Sequence, residues 1–115
     1  MKRGEVFWAD LRPRSGAEPH GRRPVIVMSN DGFNLIPSWR SIIVVPVSTS
    51  RAQARRGPTA VPLPAAATGL RHESVAVCHQ VTTLDRGKLS ARAGVLPAAV
   101  LASVEAGLKA ALDLD

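Results

Sequence analysis

Two unbroken apolar runs, VIVM at 25–28 and IIVVPV at 42–47, constrain this chain more than any other feature. Both are rich in β-branched side chains, the pattern of strands buried on both faces rather than half-exposed ones. Strands of that kind need neighbours. Glu5 to Leu11 (EVFWADL), Thr59 to Pro62, Ser74 to His79, Val81 to Leu84 and Ala91 to Val95 read as further short strands separated by Gly, Asp and Pro. Pro46 has no N–H to donate, so the third strand should be an edge or nearly finished there. Regular short strands imply a small barrel or a strongly curled sheet.

The C-terminus changes period. Pro97 suits the first turn of a helix, and Leu101, Val104, Leu108 and Ala111 then fall on one face, with Glu105 and Lys109 spaced as an i,i+4 ion pair. Leu96 offers no N-cap side chain, and Gly107 costs the helix about 1 kcal/mol. The expected architecture is mainly β with one packed C-terminal α-helix. Residues 12–21 read as a loop punctuated by Pro13, Gly16, Pro19 and Gly21, and Arg51 to Gly57 (RAQARRG) as a basic, polar loop.

A length of 115 residues fits a single domain spanning 1–115, of a size that buries roughly two-thirds of its unfolded surface. No apolar run approaches the roughly 20 residues that cross a bilayer, and the start, MKRGEVFWADL, lacks the apolar centre of a signal peptide. The expectation is a cytoplasmic protein with no membrane partner. One cysteine, Cys78, cannot form an internal disulfide; as a small residue in a predicted strand it reads as buried rather than nucleophilic. With His20, His72 and His79 as the only histidines, no spaced ligand set for a metal is present and no cofactor is called for.

Charge is more informative. Fifteen Lys plus Arg against nine Asp plus Glu give +6, and lysine stands only at positions 2, 88 and 109. Arginine presents a planar donor fork matched to phosphate, so the excess favours a polyanionic partner, although a GC-rich genome also enriches arginine. Arg22 and Arg23 sharpen the question, because GAEPHGRRPVIVMSND delivers them from a Gly-bounded loop directly into a core strand. They are either solvated loop charges or an anion site. The aromatic residues are Phe7, Trp8, Phe33 and Trp39 with no Tyr, too few to build the stacking platforms of a cold-shock or OB-type module. Trp39 could stack on a base or fill a dimer contact.

MKRGEVFWADL, GAEPHGRRPVIVMSND, IIVVPVSTS, GLRHESVAVCHQVTTLD and the final helix, in that order and over nearly the whole chain, resemble the MazF/PemK family of toxin endoribonucleases. The resemblance implies an SH3-like (CcdB/PemK-type) small barrel of strongly bent antiparallel sheet. It also implies a homodimer, metal-independent cleavage of single-stranded RNA in a groove near the two-fold axis, and neutralisation by a cognate antitoxin protein.

Such cleavage is feasible without a metal because RNA carries its own nucleophile: the 2′-OH attacks the adjacent phosphorus in line. Positioning and charge stabilisation then supply most of the rate. By the resemblance, Arg23 is the catalytic arginine, and the stiff ring of Pro24 behind it helps to preorganise it. Ser48 occupies the position of a catalytic hydroxyl, with Thr49 as its neighbour; on local sequence both also read as turn residues. Glu18 and His20, in the loop before Arg23, are candidates for proton transfer, as is His79, which stands where relatives often carry a carboxylate. His79→Gln should then flatten the pH–rate profile between about 5.5 and 7.5. Arg22, His20, Asn30, Arg51, Arg55, Arg56 and Gln80 are candidate RNA contacts. His20 and His72 read more simply as exposed loop residues. Two alternatives stand beside the ribonuclease: a non-enzymatic toxin of the same fold that binds DNA gyrase, as in the CcdB group, and a catalytically degenerate family member.

Overall fold

The computed structural model describes residues 1–11, 16 and 21–115; most of the loop expected at 12–21 lies outside them, including the candidates Glu18 and His20. Seven strands are formed: β1 (Glu5–Asp10), β2 (Arg22–Val27), β3 (Ser41–Ser48), β4 (Ala60–Leu63), β5 (Ser74–Val77), β6 (Thr82–Asp85) and β7 (Leu89–Val95). Three one-turn helices, α1 (Asp31–Asn34), α2 (Arg51–Ala54) and α3 (Ala65–Thr68), lie in the connections, and α4 (Ala98–Leu112) closes the chain.

The strands pair antiparallel along the path β4-β5-β3-β2-β1-β7, with β6 added to β3. The mainly-β fold with a C-terminal helix is as expected, but the sheet does not close: among the described residues no ladder joins its ends, β4 and β7. Nor is β3 an edge. It pairs with β2 on one side, through Val25↔Pro46 to Val27↔Val44, and is shared on the other by β6 at Ser41–Val44 and β5 at Val47–Ser48. Pro46 sits at the handover between those two partners, where an absent N–H costs no ladder bond, so a central strand tolerates it.

Burial on both faces follows the alternation of the strands. Ile26, Met28, Val45 and Val47 enter one core cluster with Val61, Leu63 and Val104, while Val25, Val27, Ile42 and Val44 enter a second with Ala9, Leu11 and Leu84. Helix α4 covers the first cluster with Val104, Leu101, Leu108 and Ala111, the predicted face. Pro97 is its N-cap rather than a residue of its first turn. Glu105 pairs across the fold with Arg3 at 2.7 Å, not along the helix with Lys109. Gly107 is explained by contact: a Cβ there would lie 2.7 Å from both Cys78 Sγ and Val61 Cγ2, so the missing side chain lets the helix backbone rest on the sheet.

The basic stretch after β3 is a helix turn, not a loop. Ser50 caps α2, its hydroxyl accepting from Gln53 N at 3.3 Å, and Ser50 and Gln53 have the spacing of a capping box. No helix among the described residues is long and apolar enough to cross a membrane.

Candidate functional site

The site is built where β2 and β3 run side by side. Leu11 N donates to Gly21 O at 2.9 Å, and Asp10 pairs with Arg22, so the two arginines enter the sheet at a fixed register. The Arg22 guanidinium lies over the Trp8 ring, 4.6 Å from its centroid, a cation–π contact that restrains the side chain. On the neighbouring strand Ser48 is the last residue of β3, almost fully buried and in register with Val75. Its Oγ accepts from Ser50 N at 3.0 Å. A hydroxyl has two acceptor sites and one donor, so that turn contact leaves the O–H to donate.

Arg22, Arg23, Ser48 and Thr49 converge on one cleft of about 860 Å³. The rest of its lining comes from residues far away in sequence: Gly69 to His72 between α3 and β5, Ser74 at the start of β5, and Arg92 and Ala93 of β7. Four guanidinium side chains, of Arg22, Arg23, Arg71 and Arg92, line it beside the Ser48 and Thr49 hydroxyls and His72. Arg92 also pairs with Glu5 at 3.3 Å. This combination can bind a phosphodiester through several oxygens and leaves an imidazole near it.

The loop carrying Arg71 and His72 is held from both ends. Helix α3 stops at Gly69, which takes a left-handed φ of 79°, a conformation suited to glycine. Ala65 N donates to Glu73 Oε1 at 2.8 Å, and Ser74 Oγ donates to the His72 carbonyl at 2.9 Å. Beneath it, a Cβ on Gly94 of β7 would lie 2.5 Å from the Thr68 carbonyl oxygen, so Gly94 is the seat on which this corner rests.

The remaining sequence candidates lie elsewhere. His79 is not in a strand, as its sequence neighbours suggest: β5 ends at Val77, and Cys78–Gln80 form a 3₁₀ turn. That turn sets His79 Nδ1 3.1 Å from Thr59 Oγ1, and His79 is not among the cleft-lining residues. Burial, with a smaller contribution from the Arg56 charge, lowers the His79 pKa from its ordinary value. Gln80 follows in the same turn, half-buried. Asn30 caps α1, its Oδ1 accepting from Gly32 N at 2.7 Å. Arg51, Arg55 and Arg56 are exposed on and after α2, outside the cleft lining. Trp39 stacks on Phe33 with centroids 4.6 Å apart and donates from Nε1 to Ser41 O at 2.7 Å. Cys78 is buried as expected, and burial pushes its thiol up to about 11, so the thiolate is disfavoured.

Sequence reasoning does not find Arg71, His72 and Arg92 as partners of Arg23. Nothing local marks them, because their meeting depends on β7 and the α3–β5 corner packing together.

Endoribonuclease MazF6 of Mycobacterium tuberculosis is 38% identical over 114 residues, covering 99% of this chain and 98% of the relative. The crystal structure of MazF from Deinococcus radiodurans superposes with a TM-score of 0.81 at 29% identity, covering 99% of this chain and 97% of that one. A MazE–MazF crystal structure from the same organism aligns with a TM-score of 0.75 at 27% identity, over 100% of this chain and 98% of that one. Residues 2–112 match the family of PemK-like, MazF-like toxins of type II toxin–antitoxin systems, and the chain belongs to that family.

Proposed function

We propose that the protein is the toxin of a toxin–antitoxin pair and an endoribonuclease that cuts single-stranded RNA by attack of a 2′-OH on the adjacent phosphorus. The observation that carries this reading is the convergence of Arg22, Arg23, Ser48 and Thr49 on one cleft that Arg71 and Arg92 also line. Arg23 stabilises the charge that builds on the phosphoryl oxygens, and Ser48 or Thr49 donates a hydrogen bond to one of them. Arg22, Arg71 and Arg92 hold the flanking backbone. The nucleophile and the leaving O5′ both belong to the substrate, so the reaction needs no metal to generate a nucleophile.

Two partners complete the reading. The same arginines suit an acidic antitoxin segment competing with RNA for the cleft, and one structural relative is a MazE–MazF complex. A homodimer fits the concentration of exposed apolar side chains in one short segment, Phe33, Leu35, Ile36 and Trp39.

The test is cleavage of a long, mixed-sequence RNA in excess EDTA. Wild-type protein should give discrete cuts with 2′,3′-cyclic phosphate and 5′-hydroxyl ends. Arg23→Ala should cut about 10²–10³-fold more slowly, the scale of losing one charge-stabilising donor. Intact RNA across many sequences, with capture of DNA gyrase instead, would replace this reading with that of a non-enzymatic toxin.

A further inference from the structure

We propose that His72 is the general base of the cleavage reaction, an inference that rests on the ribonuclease reading above. Transesterification needs a group to take the 2′-OH proton, and imidazole is the side chain whose charge ordinarily changes between about pH 5 and 8. Among the described residues lining the cleft, the groups able to ionise are Arg22, Arg23, Arg71, Arg92 and His72, with no carboxylate or lysine. Arginine stays protonated and cannot accept a proton, and a serine or threonine hydroxyl does not titrate usefully. Among the described lining residues, His72 is the side chain equipped for the transfer.

Position supports the same assignment. His72 lines the same cleft as Arg23 and Ser48 and stands three residues before Val75, the partner of Ser48 in the β3–β5 ladder. The corner is fixed by the Glu73 contact to Ala65 N, by the Ser74 contact to the His72 carbonyl and by the Gly94 seat. The backbone that carries the base is therefore set before substrate binds. The charged residues that share its loop or the cleft are Arg71 and Glu73 on its own loop, Arg92 on β7, and Arg22 and Arg23 on β2; Glu73 is engaged by Ala65 N.

The step balances. His72 takes the proton from the 2′-OH, the 2′ oxygen forms a bond to phosphorus, and the bond from phosphorus to O5′ breaks. The 5′ oxygen leaves with its electron pair and takes a proton from solvent, and the products are a 2′,3′-cyclic phosphate and a 5′-hydroxyl. No oxidant, reductant or second substrate is required.

The experiment compares wild type, His72→Gln, His72→Asn and His79→Gln on an RNA oligonucleotide containing a mapped cut site, as kcat/KM against pH. Both His72 variants should fall by about 10²–10⁴-fold and flatten the pH–rate profile, while His79→Gln keeps the wild-type profile. Binding of the same oligonucleotide with a 2′-deoxy sugar at the cut site should stay within about twofold of wild type, as expected for a base that adds little ground-state affinity. A bridging 5′-phosphorothiolate substrate, whose leaving group needs no protonation, should leave the defect in place. Restored cleavage on that substrate would make His72 an acid and overturn the assignment, as would an unchanged pH profile in either His72 variant. If wild-type protein itself fails to cut RNA, the ribonuclease reading fails first; normal wild-type cleavage with undisturbed His72 variants sinks the base assignment alone.

Discussion

Arg86 shows how much one side chain can organise. Its guanidinium donates to the carbonyls of Asn34 at 2.8 Å, Ile36 at 3.0 Å and Trp39 at 2.8 Å, so it replaces missing secondary structure along the whole α1–β3 connection. Only arginine offers several donors in a rigid planar fork; lysine has the charge without the geometry. Arg86→Ala should lower stability by about 1–3 kcal/mol, the range for stranding polar groups that had partners. Arg86→Lys should recover only part of that deficit, read as the midpoint of urea unfolding. Equal midpoints for all three proteins would mean that water satisfies these carbonyls as well. The neighbouring segment is tied in the same spirit: Ser29 Oγ donates to Asn34 Oδ1 at 2.6 Å, Asn34 Nδ2 donates to Ser29 O at 2.7 Å, and Arg3 N donates to Asp31 Oδ1 at 2.7 Å. SND, whose Asn30 is a candidate RNA contact on sequence, is a polar knot that fixes the turn after β2.

At the scale of elements, the packing of α4 on the sheet rests on Gly107. Gly107→Ala gains about 1 kcal/mol of helix propensity but places a methyl group 2.7 Å from Cys78 Sγ and Val61 Cγ2. Overpacking of a well-filled core costs about 1–3 kcal/mol, so a net destabilisation is expected in denaturant unfolding. Cys78→Ala in the same chain should return part of it, because the two sites touch and their effects do not add. An unchanged midpoint for the single variant would show that the helix can shift outward at no cost. The elements also show what is legible in the sequence. Continuous β-branched runs identify β2 and β3 and their two-sided burial, since alternation along a strand is a local property. The capping pattern at Ser50 and Gln53 is present but outweighed by the charges around it, so α2 reads as a loop. His79 reads as strand because apolar β-formers run on to Cys78, whereas the chain turns after Val77. Of the cleft, the part formed by β2 is readable as a loop feeding arginines into a strand. The part formed by the α3–β5 corner and β7 is not, because Gly94, Gly69 and His72 come together only through the tertiary fold.

For the molecule as a whole, the net charge of +6 acts largely through its placement. Four arginines on one cleft make a funnel for a polyanion, and binding to single-stranded RNA should weaken as salt rises. Removing one phosphate-binding cation should reduce the slope of log K against log salt by about 0.7. Arg92→Ala should therefore flatten that slope by about one such step while leaving sequence preference intact, measured by anisotropy of a labelled RNA blocked at its cut site. A slope equal to wild type would mean that Arg92 does not touch phosphate. The two tryptophans divide between surfaces in a way that bears on all these experiments. Trp8 lines the cleft beneath Arg22, while Trp39 stacks on Phe33 and is not among the cleft-lining residues. The chain thus carries a built-in optical reporter: in a Trp39→Phe background the remaining indole lies at the cleft, so its emission would report occupancy apart from turnover without any attached dye.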